Sequence, residues 1–435
     1  MNKQIIIIFL IAVVGFWACD TQDSLEPIDD SFFIKLYAGV NEGEQFGNDI
    51  IATSDGGLLI AGTSVDNISN TSEILLIKTD ARGNELWTFG ASDPNALGEL
   101  SFSVAASVIE STNTNSYFIG GTVGENSERK SVIIEINIDG TFKRLDITDT
   151  NIDDPGSFNV LKKISLGLSG ILVTGETSVT SASGGGGING FVRLYDETTL
   201  VPDTIDTKNI WFFGIEGDDH VAGGYEVSDP GNFIGGQNSR FLIFGSSIDP
   251  DNSKEKFFYQ GYNDLFSPNP SIKATQTDLL SGNQSASYVT QFNDTYWVIG
   301  NLDQKNMFLL GWEFKFDDLK GNDWSPIGTG VINTIDIDDK IGKGVAVQAD
   351  NKYVVVGDII FTTDHKEIYL GRTNSNPSLD LQTWPKTFGT SSSAYSASAV
   401  TTLADGSIII VGTADLQPIK KIIVIKTGPN GEMSF

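Results

Sequence analysis

DGGLLIAGT, residues 55–63, decides how the rest of the chain is read, because the chain returns to this pattern seven times. Each copy is a turn, then about four apolar residues, then a glycine. The glycines are Gly62, Gly121, Gly175, Gly245, Gly300, Gly357 and Gly412, at intervals of 59, 54, 70, 55, 57 and 55 residues. An Asp-Gly pair between two apolar runs marks a β-hairpin, since glycine tolerates positive φ. Internal repetition of this period takes precedence over length in setting the architecture.

The first copy reads as four short strands: a at 47–54, b at 58–61, c at 73–79 and d at 84–89, with a polar loop at 64–72 and a turn at 80–83. The b segments of the later copies, such as 171–174, 241–244 and 408–411, are unbroken apolar runs rich in β-branched and aromatic residues. That composition suits strands covered on both faces. The glycine that ends each run marks a bulge or the close approach of another backbone. Four-stranded antiparallel units of this length, repeated seven times, predict an all-β fold: a seven-bladed β-propeller in which radial packing buries both faces of every blade. Stacked β-sandwiches would show polar/apolar alternation instead. The last copy has strands a, b and c but only residues 432–435 after its final turn. Residues 32–39, FFIKLYAG, resemble a d strand. The pattern therefore predicts that residues 32–37 pair beside 422–426 and close the ring, hiding an open edge.

The front of the chain is a separate device. Lys3 precedes a 13-residue apolar run at 5–17, followed by Ala18 and Cys19, the sole cysteine. The run is too short for a ~30 Å hydrocarbon core and has the form of a secretory signal. The position of Cys19 resembles a bacterial lipobox, although Phe16 and Trp17 depart from the usual residues. Residues 1–19 are thus read as a lipoprotein signal peptide with Cys19 as the lipidated residue. Residues 20–31 are read as an acidic disordered tether, and 32–435 as the propeller. Covalent lipid adds about 0.8 kcal/mol per buried CH2, so lipidated Cys19 makes a membrane a partner. The formal net charge is −28. This excludes a nucleic-acid partner, which would need clustered Lys and Arg.

Thr53, Asp55, Gly56, Gly57, Gly62, Thr63, Lys78, Asp80, Gly83 and Trp87 make up the first copy of a longer pattern. The seventh copy keeps Asp405, Gly406, Gly412, Thr413, Lys426 and Gly431, while copies three to five are degenerate. A W-x-F-G signature stands at 87–90 and 211–214, with a stretched form at 384–389. Over residues 32–435 the chain resembles uncharacterised lipoproteins of Bacteroidetes that carry a seven-bladed propeller with a DGG…G-T repeat. The resemblance implies fold and localisation: a bacterial outer membrane or cell surface, lipid-anchored. It brings no catalytic residues.

Chemistry is sparse. Two histidines, His220 and His365, and one cysteine cannot build a zinc site. No G-x-S-x-G elbow precedes a helix. Asp249, Asp251 and Glu255, and Asp336, Asp338 and Asp339, have oxygen spacings that suit a calcium ion, without the EF-hand pattern; solvated acidic loops are the other reading. In a propeller the d–a and b–c loops share one face around the central channel, and binding residues concentrate on such loops. Glu42, Glu44, Asp218, Asp219 and His220 are the candidate ligand-binding residues; the bland reading is that they solvate the ring. The expected function is a lipid-anchored binding module for a protein or glycan at the cell envelope, without catalysis. The alternatives are an envelope carbohydrate-active enzyme, or a scaffold for outer-membrane assembly.

Overall fold

The computed structural model describes residues 32–38, 43–90, 100, 102–148, 158–167, 170–178, 187–202, 211–213, 217–226, 241–249, 251, 253–262, 282–292, 295–313, 325–332, 339–362, 365–373, 384–391 and 393–433. The signal segment, Cys19, the acidic tether and Glu42 lie outside them.

Hydrogen bonding sorts the described strands into six sheets. One is eight-stranded, but its two halves meet only at a single parallel bridge, Lys366 to Ala394. Divided there, the strands make seven antiparallel units, spanning 44–90, 104–148, 159–213, 219–262, 284–332, 339–388 and 394–427. The fourth has three strands among the described residues, and the seventh takes its fourth strand from the N-terminus. Each unit packs its first strand against the preceding unit, and the seventh packs against the first. Among the described residues there is no α-helix. This is a β-propeller, and the units are called blades 1–7 in chain order.

The unbroken apolar runs have the expected cause. In strand b of blade 1, Leu58–Asp66, residues Leu58, Leu59, Ile60 and Ala61 are all fully buried. Leu58 and Ile60 pack with Ile409, Val411, Ile422 and Val424 of blade 7. Leu59 and Ala61 pack with Val108, Ile119 and Ile134 of blade 2. Successive side chains point to opposite faces of a strand, so each blade feeds two interfaces and needs apolar residues at every position. Full burial of one such side chain contributes about 1.5–3 kcal/mol. The loop expected at 64–72 is shorter in the structure: strand b runs on to Asp66 and strand c starts at Thr71. Asp66 Oδ1 accepts the Ile68 amide at 2.7 Å and makes the tight turn.

Ring closure follows the predicted pairing. The N-terminal strand Phe33–Tyr37 pairs antiparallel with Lys420–Thr427, Phe33 opposite Lys426 and Tyr37 opposite Ile422. In blade 1, Trp87 stands opposite Lys78, so Phe33 holds the place that Trp87 holds there. Both aromatics do the same work across a blade boundary. Trp87 covers Gly140 of blade 2, and Phe33 covers Gly83 of blade 1. Gly83 has φ +72° and no room for a Cβ beneath Phe33. Tyr37 Oη donates to Gly83 O at 2.7 Å, and Lys35 Nζ donates to Arg82 O at 2.7 Å.

A second device repeats around the ring. Every strand a carries a bulge at the equivalent residue: Asn48, Ala106, Lys162, Ala222, Ser287, Lys343 and Ser398. At each repeat glycine a Cβ would lie 2.1–2.7 Å from a carbonyl oxygen of the strand a that faces it, so close backbone approach and bulge occur together. The residue after the glycine then reaches the next blade. Thr63 Oγ1 accepts the Ala105 amide, Thr122 Oγ1 that of Leu161, Glu176 Oε1 that of Val221, Asn301 Oδ1 that of Gly342, Asp358 Oδ1 that of Ala397, and Thr413 Oγ1 that of Gly47. The distances run from 2.7 Å for Asn301 to 3.2 Å for Thr63 and Thr413. In every case the donor is the residue just before a bulge, whose amide the bulge takes out of the ladder. At the blade 4 to blade 5 junction Ser246 instead donates to Glu255 at 2.5 Å.

Two outcomes follow for stability. Thr413→Val keeps the shape but strands the Gly47 amide, and should cost about 1–3 kcal/mol in chemical denaturation, with Thr413→Ser near wild type; equal stability of the two variants would remove the role assigned to the hydroxyl. Deleting residues 32–38 should lower the melting temperature more than Phe33→Ala, itself worth about 3–5 kcal/mol; a deletion that melts like the intact chain would contradict the closure.

Candidate functional site

The seven bulges turn their residues toward the propeller axis, and all seven line one cavity of about 510 Å³. Pockets of about 300–1,000 Å³ hold small ligands. Into this space project Asn48 from blade 1, Lys162 from blade 3, Ser287 from blade 5, Lys343 from blade 6 and Ser398 from blade 7, with the two alanines of blades 2 and 4 between them. His220, Glu176, Glu255, Asp49 and Lys163 add to its charged lining. A chain of net charge −28 thus has a channel in which cations and anions are nearly balanced.

Blades 3 and 4 hold a tight charged group. Glu176, the residue after Gly175, accepts the Val221 amide at 3.1 Å, faces Lys162 Nζ at 3.1 Å and lies 3.4 Å from His220 Nδ1. Burial pushes the Glu176 carboxyl up, but the His220 hydrogen bond and the Lys162 charge outweigh it and hold the group below the usual glutamate range. The hydrogen bond to Glu176 raises the His220 imidazole above its ordinary value, against a smaller opposing effect of burial.

Deeper in, Lys163 crosses beneath blade 4. It runs past Gly223, where a Cβ would meet its side chain at 2.7 Å, and its ammonium sits 4.1 Å over the Tyr288 ring of blade 5. Asp49 is buried beside it; its Oδ1 accepts the Ile50 amide at 2.9 Å and its Oδ2 the Val108 amide at 3.0 Å. Desolvation raises the Asp49 carboxyl, with the Lys163 charge opposing. Residues drawn from blades 1, 3 and 5 therefore fix the channel wall from within.

Of the sequence candidates, His220 lines the cavity. Glu44 lies at the blade 7 boundary, 3.4 Å from Lys420 Nζ. Asp218 Oδ1 accepts the amides of Gly187 at 3.0 Å and Ile188 at 2.9 Å and so shapes a turn. Asp219 is fully buried, its amide bonded to Ile188 O. Glu42 lies outside the described residues, as do Asp336 and Asp338. Asp249 Oδ1 accepts the Asp251 amide at 2.9 Å in a turn. Among the described residues no three His, Cys, Asp or Glu side chains group as metal ligands. Sequence reasoning looked to the loops and passed over Lys162, Glu176, Ser287, Lys343 and Ser398. The signal was available: each bulge lies thirteen to fifteen residues ahead of the repeat glycine, except Ala222, which precedes Gly245 by 23.

No protein-family model matches the chain, and no curated protein does. Solved structures with a similar chain path include the β-propeller domain of Cps50 (Swd1) from Myceliophteria thermophila, 8% identical over 90% of this chain and 99% of that one, TM-score 0.47. Drosophila Semaphorin 1a, extracellular domains 1-2, is 11% identical over 89% and 87%, TM-score 0.46. The periplasmic gluconolactonase PpgL of Pseudomonas aeruginosa is 10% identical over 79% and 85%, TM-score 0.44. At these values the likeness concerns chain path alone, and the propeller rests on the strand pairings.

The Glu176–His220 contact has a pH signature. Because the folded value of His220 is raised, its protonated form stabilises the fold fully below the ordinary histidine value of about 6.5, and this contribution is lost as pH rises through the folded value. An NMR titration of the imidazole signals, assigned with His365→Gln, should give His220 a midpoint above 6.5 that falls in Glu176→Gln. A midpoint that Glu176→Gln leaves in place would contradict the pairing.

Proposed function

We propose that this chain is a lipid-anchored propeller of the bacterial cell envelope, and that it binds a glycan or protein partner at the mouth of its central channel without catalysis. The observation that carries the binding half is the ring of bulges. Seven equivalent backbone positions deliver unlike side chains, two lysines, two serines, an asparagine and two alanines, into one cavity. The anchoring half rests on the apolar run before Cys19.

Binding is favoured over glycoside hydrolysis by the state of the carboxylates. Hydrolysis needs a carboxylic acid kept protonated beside an ionised partner. Glu176 is held ionised by Lys162 and His220. Asp49 is raised by burial, but both of its oxygens serve backbone amides of blades 1 and 2. Each is therefore committed to a structural or ionic contact.

Obstructing the channel tests the reading. Ser287 is exposed at the cavity, so Ser287→Trp should fold normally while blocking entry. Retention of envelope polysaccharide or protein by the full chain should drop at least tenfold in Ser287→Trp, and Cys19→Ser should move the protein from the membrane to the soluble fraction. Undiminished retention by a folded Ser287→Trp protein would place the binding surface elsewhere; membrane association of Cys19→Ser would remove the lipid anchor.

A further inference from the structure

Two lysines occupy equivalent bulges three blades apart, and their surroundings differ. Lys162 is neutralised by Glu176, the residue after the repeat glycine of its own blade, at 3.1 Å. In blade 6 the equivalent residue is Asp358. Its Oδ2 accepts the Ser396 hydroxyl at 2.7 Å and its Oδ1 the Ala397 amide at 2.8 Å. Lys343 lines the cavity; its charge acts on the Asp358 carboxyl, opposing the upward push of burial, but both Asp358 oxygens are bonded to Ser396 and Ala397 rather than to the ammonium. Of the other carboxylates of the lining, Glu255 accepts the Ser246 hydroxyl at 2.5 Å, and Asp49 accepts the Ile50 and Val108 amides.

The bulges on either side of Lys343 are both serines. Ser287 Oγ accepts from Asn301 Nδ2 at 2.9 Å, which leaves its own proton to donate inward. Ser398, the bulge of blade 7, lines the same cavity. Three consecutive blades therefore present a hydroxyl, an ammonium and a hydroxyl side by side. The same lining carries acceptors on the other blades: Glu176, Glu255 and Asn48. Among the described residues the rings of the lining are Tyr288, engaged by Lys163, and His220, engaged by Glu176, so neither is offered as an open platform for a neutral sugar.

We propose that Ser287, Lys343 and Ser398 form a carboxylate-binding subsite, and that the channel ligand is a small hydroxylated acid of the sugar-acid type. This rests on the channel reading above and adds the chemical class. A single cation flanked by two hydroxyls matches the charge and the two oxygens of a carboxylate, and charge-assisted hydrogen bonds of this kind are about twice as strong as neutral ones. A dianionic phosphate would meet one uncommitted cation inside a strongly acidic protein and is poorly matched. The ligand hydroxyls would donate to Glu176 and Glu255, while the partly enclosed channel strengthens each contact over its value in water.

The test titrates D-glucuronate, D-glucose and inorganic phosphate into the full chain in detergent, by calorimetry and by the His220 imidazole signal. Glucuronate should bind saturably and shift His220. Glucose and phosphate should bind at least tenfold more weakly. Lys343→Gln should weaken glucuronate at least tenfold at an unchanged melting temperature, and Ser287→Ala with Ser398→Ala several-fold. Glucose or phosphate binding as tightly as glucuronate, or Lys343→Gln binding like wild type, overturns the carboxylate subsite; if His220 still shifts, the channel reading survives. Glucuronate heat with no His220 shift also overturns the subsite, since binding would then lie outside the channel. No response to any probe overturns it too, and the Ser287→Trp retention experiment then decides separately whether the channel reading falls.

Discussion

The propeller is held together at its axis by one recurring hydrogen bond, from the amide before each bulge to the side chain that follows the repeat glycine of the preceding blade. Six junctions use it among the described residues. A bulge frees one amide from its ladder, and a buried amide without a partner is costly. The neighbouring blade supplies that partner, so the defect of one sheet becomes the joint to the next. The glycine is part of the same device. Without a Cβ it lets strand a come close to strand b, which brings the following side chain level with the neighbouring blade. Apolar burial between blades supplies more free energy, but it is non-directional. The hydrogen bond sets how far one blade slides along the next.

This joint explains what varies and what does not around the ring. The accepting position tolerates Thr, Glu, Asn or Asp, since any of these offers an oxygen at the right height. Threonine serves the junctions leaving blades 1, 2 and 7, and larger acceptors serve those leaving blades 3, 5 and 6. The larger acceptors do a second job at the cavity. Glu176 gathers Lys162 and His220, and Asn301 holds Ser287. Structure and site therefore meet in single residues, and stability and channel chemistry are coupled through them.

Much of this architecture was legible in the sequence, because it depends on local rules. The DGG turn, the unbroken apolar b strands and the missing last strand follow from turn chemistry, from two-sided burial and from the spacing of the copies, and the pairing of the N-terminal strand beside 422–426 followed with them. The b–c loop of blade 1 was less legible: Ser64 and Ser72 read as loop residues, yet both lie in strands, since polarity does not prevent ladder pairing at a strand end. The channel was less legible still. A bulge has no residue signature here, with Asn, Ala, Lys and Ser all serving, and the loops drew attention because they are acidic. Asp218 shapes a turn, Asp219 is buried away from the channel lining, and Glu44 pairs with Lys420 across the closure. Sequence composition cannot separate those uses from ligand binding.

The bulge also explains how a rigid ring can carry a changeable site. The bulged residue is unpaired in the ladder, so its side chain is free of the alternation that governs its neighbours. The hydrogen bond at the joint is made by the backbone of the residue before it. Exchanging the bulged side chain therefore alters the channel while the donating amide stays in place, although Asn48, Lys162 and Ser287 also contact the accepting side chains Thr63, Glu176 and Asn301. Blades 3 and 6 show the consequence: both place a lysine at the bulge, but one lysine is spent on Glu176 while the other faces the cavity. The difference lies in what the accepting residue does with its second oxygen. Glu176 is long enough to reach both the Val221 amide and Lys162, whereas Asp358 is shorter and turns its spare oxygen to Ser396. One methylene in the accepting side chain thus decides whether the channel presents an ion pair or an open cation.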